Sequence, residues 1–459
     1  MKKIHVLLFA VLCLQFGVSK AQFTLIHTFN DTAGGSQYGT LALSGNILYG
    51  VTLAGGTHDS GCVFSIHTDG SGYKDLFDFK NGTCYYPMGG ITKSGNRLYG
   101  MSIYGGATNV GCVFSVDTNG NGYRDLYDFT RSFTQIAFGS IIISGKKMFG
   151  MLPNGGIHNE GYVFSIDTDG NAYKDIFDFN GLDGNEPMGS LTLSGGQLFG
   201  TTIAGGTGAG NVFKMDTTGA NYKNLLIFNG TNGSNPQANL TISGNRIYGT
   251  SDNSGVHGYG NIFSIDTNGS RYKDIYDFNG TGFTSQVGSL IIVGSQLYGI
   301  SNEGGTADSG SIFTVDTTGI GYTYLENFKG PNGQWPDCSL TMSGNILYGG
   351  TTGGGKDAAG VLFSYKNISS INLLNNIYEG ITIFPNPSTG IFTLQTKSGE
   401  LKGKSVEVFN VLGERVESKK LKVESEEIDL SAQPNGVYFY RIIAEDGNIA
   451  GEGKLIIQK

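Results

Sequence analysis

The chain has 459 residues with a net charge of −8, and it carries 75 glycines against only 9 prolines. No basic run accompanies that acidity, which excludes an electrostatic footprint for nucleic acid or for an anionic membrane surface. Abundant Gly beside 24 Tyr and 28 Phe excludes a disordered chain and points to many short strands joined by tight turns.

The N-terminus, "MKKIHVLLFAVLCLQFGVSKAQ", sets Lys2 and Lys3 before an apolar run from Val6, with small residues at Ser19 and Ala21. This pattern predicts a secretory signal peptide over residues 1–21, too short and wrongly flanked for a membrane span. A lipoprotein signal at Cys13 is disfavoured because Leu12 stands where a small residue is needed. No other segment reads as a span, so the mature chain is expected to be exported with no membrane insertion.

From residue 23 the sequence repeats itself. The Gly of "LYG" or its variant returns as Gly50, Gly100, Gly150, Gly200, Gly249, Gly299 and Gly349, and a Phe keeps the same beat from Phe64 to Phe363. Each copy holds four short apolar stretches, as in "SLTLSG", "QLFGTTI", "NVFKMD" and "YKNLLIF". Alternation, β-branched residues and Gly-rich junctions read as four antiparallel strands joined by hairpins. Seven such units of about 50 residues predict an all-β, seven-bladed β-propeller over 23–366. A β-solenoid would need shorter coils.

The fourth-strand Phe occurs at Phe79, Phe129, Phe179, Phe228, Phe278 and Phe328, only six times, but Phe29 stands one period before Phe79. The N-terminal strand is therefore expected to complete the last blade, a closure that removes free sheet edges. Residues 372–378 are the competing segment, because Tyr378 keeps the same spacing from Phe363. The words L-Y-G-T-T-x-x-G-G and the later V-F resemble the Gly-rich secreted tandem repeat known as GloVer. That resemblance covers about 23–366 and implies no particular chemistry.

After a linker at 367–379, residues 380–459 use a different grammar. "IFPNPSTGIF", "VEVFNVLGERV", "IDLSAQPNGVYFYRI" and "GKLIIQK" read as strands around turns, enough for a small Ig-like β-sandwich. The four phrases resemble the type A C-terminal sorting domain of the type IX secretion system. Pro385, Asn386, Pro387, Gly390, Gly413, Gly436 and Tyr438 carry the match. It implies passage across the outer membrane by the type IX secretion machinery and a secreted or cell-surface location.

Candidate chemistry is weighed against the repeat. His58, His158 and His257 share one loop position, but they lie two blades apart, so joint metal ligation is not expected. The "DTDG"-type turns lose potential ligands from copy to copy and read as turns rather than calcium loops. No cofactor or metal is therefore predicted. The long connections gather on one face, where Tyr38, Tyr85, Tyr86, Phe133, Phe138, Phe283 and Trp335 suit stacking on sugar rings or gripping a peptide. With the three histidines they form the expected ligand-binding rim. A non-catalytic binding or adhesion module with a glycan or surface-protein ligand is the preferred function. A polysaccharide-acting enzyme using the same rim is the alternative. Of the mature cysteines, Cys84 is expected to pair with Cys62, with Cys112 as its second candidate partner.

Overall fold

The computed structural model describes residues 22–30, 34–80, 82–130, 139–206, 208–279, 288–366, 381–386, 388–396, 404–410, 414–421, 425–443 and 449–459. The expected signal peptide and linker lie outside these residues.

Residues 22–366 build seven four-stranded antiparallel sheets. The first comprises Ala42–Ser44, Ile47–Thr52, Cys62–His67 and Lys74–Asp78, paired in chain order. Five more blades repeat it. In the seventh, Thr341–Ser343, Ile346–Gly350 and Val361–Lys366 receive Gln22–Thr28 as their outermost strand. Gln22 pairs with Lys366 and Thr28 with Val361. The N-terminal strand thus takes the slot that the missing seventh Phe called for.

The innermost strands tie neighbouring blades together. The Thr192 hydroxyl donates to Leu240 O at 2.7 Å, and Thr341 donates to Leu41 O at the same distance, joining the last blade to the first. The ring is closed: a seven-bladed β-propeller.

Between blades the core is aromatic. Phe29, Phe79, Phe129, Phe179, Phe228, Phe278 and Phe328 are all buried. Five of the seven fourth strands also present a flat side chain to a Tyr of the next blade. Phe77 stacks on Tyr123 at 4.3 Å, Phe177 on Tyr222 at 4.3 Å, and His27 on Tyr73 at 4.1 Å. His27 fills the place that Phe77, Tyr127, Phe177 and Tyr276 occupy in four other blades, and its Nε2 is buried without a hydrogen-bond partner among the described residues.

The repeated polar residues serve this frame. In the turns, Gly120 N–H donates to Asp117 O, and Gly120 has φ +89°. The leading carboxylates often reach a strand neighbour, as Asp117 does with Arg97 at 2.9 Å. Arg271 and, after it, Arg246 hold the Asp266 carboxyl down to about 2. The fourth-strand acids hold the second-to-third loops: Asp178 accepts from Ile157 N–H and Asp277 from Val256 N–H.

Residues 369–459 fall in a second compact unit. It has a three-stranded sheet (Ile381–Phe384, Ile391–Thr396, Ser425–Asp429) and a four-stranded sheet (Arg415–Lys420, Ser405–Phe409, Gly436–Ile443, Ile449–Ile457). Phe392, Leu394 and Ile428 of the first share one core with Val406, Val408, Tyr438 and Leu455 of the second. Two sheets over one core make a small β-sandwich.

Candidate functional site: the loop face and its axial well

In an antiparallel blade the second-to-third loops and the connections to the next blade leave on the same face. On that face each described connection reaches into two blades at once. Tyr86 N–H donates to Ser60 O at 3.0 Å in the preceding blade, while Tyr86 O accepts from Ile103 N–H at 3.2 Å in its own. Glu186 does the same between Glu160 and Ile203, and Trp335 between Ser309 and Thr352. Ser36 and Asn235 complete the described set, bonding to Ala359 and Leu53 and to Ala209 and Asp252.

These five residues share one repeat position and one backbone conformation, with φ of +56° at Ser36, +54° at Tyr86, +53° at Glu186, +55° at Asn235 and +53° at Trp335. The left-handed region costs an L-residue about 1–2 kcal/mol, and Gly meets it without that cost. A chain with 75 glycines nevertheless places Ser, Tyr, Glu, Asn and Trp here. The clasp geometry stays constant while the side chain changes.

The clasp side chains include two aromatics, Tyr86, which is half-buried, and Trp335. Trp335 is 49% exposed. Tyr86 packs edge-on to Tyr85 at 5.2 Å, Tyr85 stacks on Tyr104 at 5.7 Å, and the Tyr85 hydroxyl donates to Asn109 at 2.7 Å.

At the centre of this face lies a well of about 340 Å³. One part of its wall is a ring of small residues whose polar atoms are engaged. Ser140 N–H donates to Ser190 Oγ, Asn239 N–H to Ser289 Oγ, and Ser289 N–H to Ser339 Oγ. Gly39 and Gly139 come so close to the next blade that a Cβ would lie 2.5 and 2.6 Å from the carbonyl oxygens of Gly89 and Gly189.

The remaining wall is uneven. Met88 and Met188 contribute apolar lining, and Tyr38, Asn302, Asp337 and Cys338 contribute polar or ionisable groups. Asn302 Nδ2 donates to Asp337 Oδ1 at 2.7 Å. Burial raises the Asp337 carboxyl above the ordinary range; the Asn302 hydrogen bond opposes this and Glu303 adds to it. Burial likewise raises the Tyr38 hydroxyl, and Asp337 raises it further. The Cys338 thiol is pushed up to about 12 by burial, which leaves it inert.

Of the residues expected on the rim, Tyr85, Tyr86 and Trp335 stand on the loop connections, while Phe133, Phe138 and Phe283 lie outside the described residues. His58, His158 and His257 are exposed at matched loop positions. One group of three potential metal ligands occurs among the described residues, Cys84, Cys112 and Asp125, and its thiols are joined to each other. Sequence reasoning missed Asp337 and the clasp residues Ser36, Glu186 and Asn235. Reading down the axial repeat position would have found the first, since Tyr38, Met88, Phe138, Met188, Gln237, Val287 and Asp337 contain one acid.

The expected Cys62–Cys84 pair is replaced by Cys84–Cys112, with Cα atoms 5.8 Å apart, and Cys62 is a free buried thiol. The connection leaving a fourth strand folds onto the third strand of the next blade, not back onto its own. Gly34 takes the corresponding place beside Cys62, where a Cβ would stand 3.1 Å from the sulfur.

In the C-terminal unit, Asn386 Oδ1 accepts from Ile456 N–H at 2.9 Å and the Tyr438 hydroxyl donates to Pro434 O at 2.9 Å. Gly390, at φ +123°, packs where a Cβ would meet Ser431 Cα at 2.7 Å. Gly436 opens the strand that pairs with Ile457. Pro385 follows Phe384 at the end of the first strand; Pro387 and Gly413 lie outside the described residues.

Residues 382–458 match the Secretion system C-terminal sorting domain. That match implies dealings with the secretion machinery and delivery to the cell surface or beyond. Among the described residues no helix is long and apolar enough to cross a membrane. No curated protein matches the chain.

Similar solved structures include PorZ, a surface component of the type-IX secretion system of Porphyromonas gingivalis (13% identity, 94% of this chain, 60% of that one, TM-score 0.46). An oligogalacturonate lyase from Vibrio parahaemolyticus (8% identity, 77% and 96% covered, TM-score 0.47) and the polysaccharide lyase Uly1 (10%, 74% and 92%, 0.46) are others. The chain spans 60% of PorZ's length, and likeness at this level carries no argument about activity. Residues 13–209 and 203–406 match the Gloeobacter/Verrucomicrobia repeat, and with more than half of its length so matched, the chain belongs to that repeat family.

Proposed function

We propose that the propeller is a non-catalytic binding module, carried out of the cell by its C-terminal domain, that engages a glycan or a surface protein through its loop face. The clasp position carries this reading. A position needed only to join blades would be served best by Gly, yet five copies hold five different side chains in the left-handed region. Retaining a side chain at a conformational cost is reasonable where the side chain itself is used. Tyr86 and Trp335 supply the flat, amphipathic surfaces that suit sugar rings and peptide segments.

A second reading, an enzyme acting on polysaccharide, draws on Asp337, a carboxyl with raised affinity for its proton in a well it shares with Tyr38. A glycan array and an outer-surface protein array, run beside a reducing-sugar release assay, separate the two. Saturable binding without release supports the binding module. Release that disappears in Asp337→Asn would replace it with the enzyme.

A further inference from the structure

We propose that the axial well receives the primary ammonium group of its ligand, an aminated sugar or a lysine-like amine, against the Asp337 carboxylate. This rests on the loop face being the binding face, and it names the chemistry that enters its centre. The fold does not require an acid here. Of the five described copies, the other four place Tyr38, Met88, Met188 and Gln237 at the same position of the lining.

The groups that face Asp337 are uncharged or acidic. Its neutral partners are Asn302, which donates at 2.7 Å, and the Thr352 side chain. Tyr38 and Cys338 share its wall, and Glu303 adds negative charge. No Lys, Arg or His is among the described residues lining the well. A carboxylate desolvated beside a second acid and facing a cavity with no cation among its described lining favours a cationic occupant.

The shape narrows the class. Asn302 already occupies Oδ1 of Asp337, which works against the two parallel hydrogen bonds of a planar guanidinium. A compact ammonium needs only one carboxylate oxygen and can direct its other donors elsewhere. The hydroxyls of Ser190, Ser289 and Ser339 already accept from the ring's own backbone, and Asp337 is the one acid among the described lining residues, beside the neutral side chains of Tyr38, Gln237, Asn239 and Asn302. The Met88 and Met188 side chains in the lining present an apolar, adaptable surface for methylenes or the face of a sugar ring. About 340 Å³ is at the small end of ligand pockets, which run from about 300 to 1,000 Å³, and suits a single side chain or a small saccharide.

The test is calorimetric titration of the full exported chain at neutral pH with EDTA present. The probes are a glucosamine dimer, its N-acetylated form, Nα-acetyl-lysine amide and the Nε-acetylated version of that amide. One of the amines should bind, and acetylating it should weaken binding at least tenfold; the arm that binds identifies the source as sugar or peptide. Asp337→Asn should produce a similar loss with an unchanged melting midpoint and unchanged Trp335 emission. Met188→Lys, which places a tethered ammonium in the well, should also abolish binding and serves if Asp337→Asn does not fold. Equal binding of free and acetylated amines, no binding of either amine, or full amine affinity in a folded Asp337→Asn would overturn the proposal. If an array ligand binds the loop face and is indifferent to Asp337, this inference fails while the binding-module reading stands.

Discussion

Gly200 faces Phe213 across the second and third strands of the fourth blade, and a Cβ on Gly200 would lie 2.6 Å from the tip of the Phe213 ring. The same holds at Gly249 and Phe263, and at Gly349 and Phe363, again at 2.6 Å. The two most regular words of the repeat are therefore one structural unit: the Gly exists so that the Phe can lie flat over the strand.

Gly200→Ala should cost about 1–3 kcal/mol, the usual penalty for forcing extra volume into a packed core. Phe213→Leu alone should also destabilise, but the double variant should lose less than the sum, because the smaller side chain vacates the space the new methyl needs. Urea unfolding of the two single variants and the double variant measures this. Strict additivity would show that the pair does not act as a unit.

Acid should loosen the ring at its closure. Burial lowers the pKa of His27 below its ordinary 6.5, so folding favours the neutral ring. The stability it contributes is complete above about pH 6.5 and is lost as pH falls toward its folded value. His27→Phe, which installs the residue found at positions 77 and 177, should flatten the stability profile between pH 7 and pH 5. An equally steep acid loss in the variant would assign the sensitivity to other groups.

Non-reducing peptide mapping of the exported protein should find Cys84 joined to Cys112, with Cys62 and Cys338 as thiols that react only after unfolding. The bond closes a loop with a sequence separation of 28 residues, for which chain entropy gives a stabilisation of about 3–4 kcal/mol. Cys84→Ser should lower the melting midpoint accordingly. A Cys62–Cys84 peptide would restore the pairing that the sequence favoured.

Export should depend on the C-terminal unit and folding should not. A chain ending before residue 369 should yield a propeller with an unchanged melting transition that stays in the periplasm. Its appearance in the medium or on the cell surface would contradict the role assigned to residues 382–458.

The propeller was legible in the sequence because its causes are local and repeated. The Gly–Phe pairs, the turn glycines and the displaced Phe29 each leave a mark at fixed spacing, and the phase of Phe29 was enough to close the ring. The site was legible only where it was aromatic: Tyr86 and Trp335 could be placed on the loop face, but not at one common backbone position. That position shows no residue-type signal, since what it shares is a φ near +54° rather than a side chain. Asp337 was hidden for the opposite reason. It breaks the pattern at a position whose proximity to the axis becomes evident only when the blades are assembled. The disulfide was misassigned because spacing along the chain favours the nearer Cys62, whereas the connection crosses to the next blade.

The most direct test of the binding-face claim compares the two faces of the ring with one ligand taken from the arrays. Tyr86→Ser with Trp335→Ser alters the loop face, and Thr218→Ala with Thr318→Ala alters the hairpin turns on the other. The predicted result is a loss of affinity of at least tenfold (about 1.4 kcal/mol) in the first pair and no change in the second, with both pairs melting like the parent. Full affinity in the first pair, or a loss confined to the second, would contradict it.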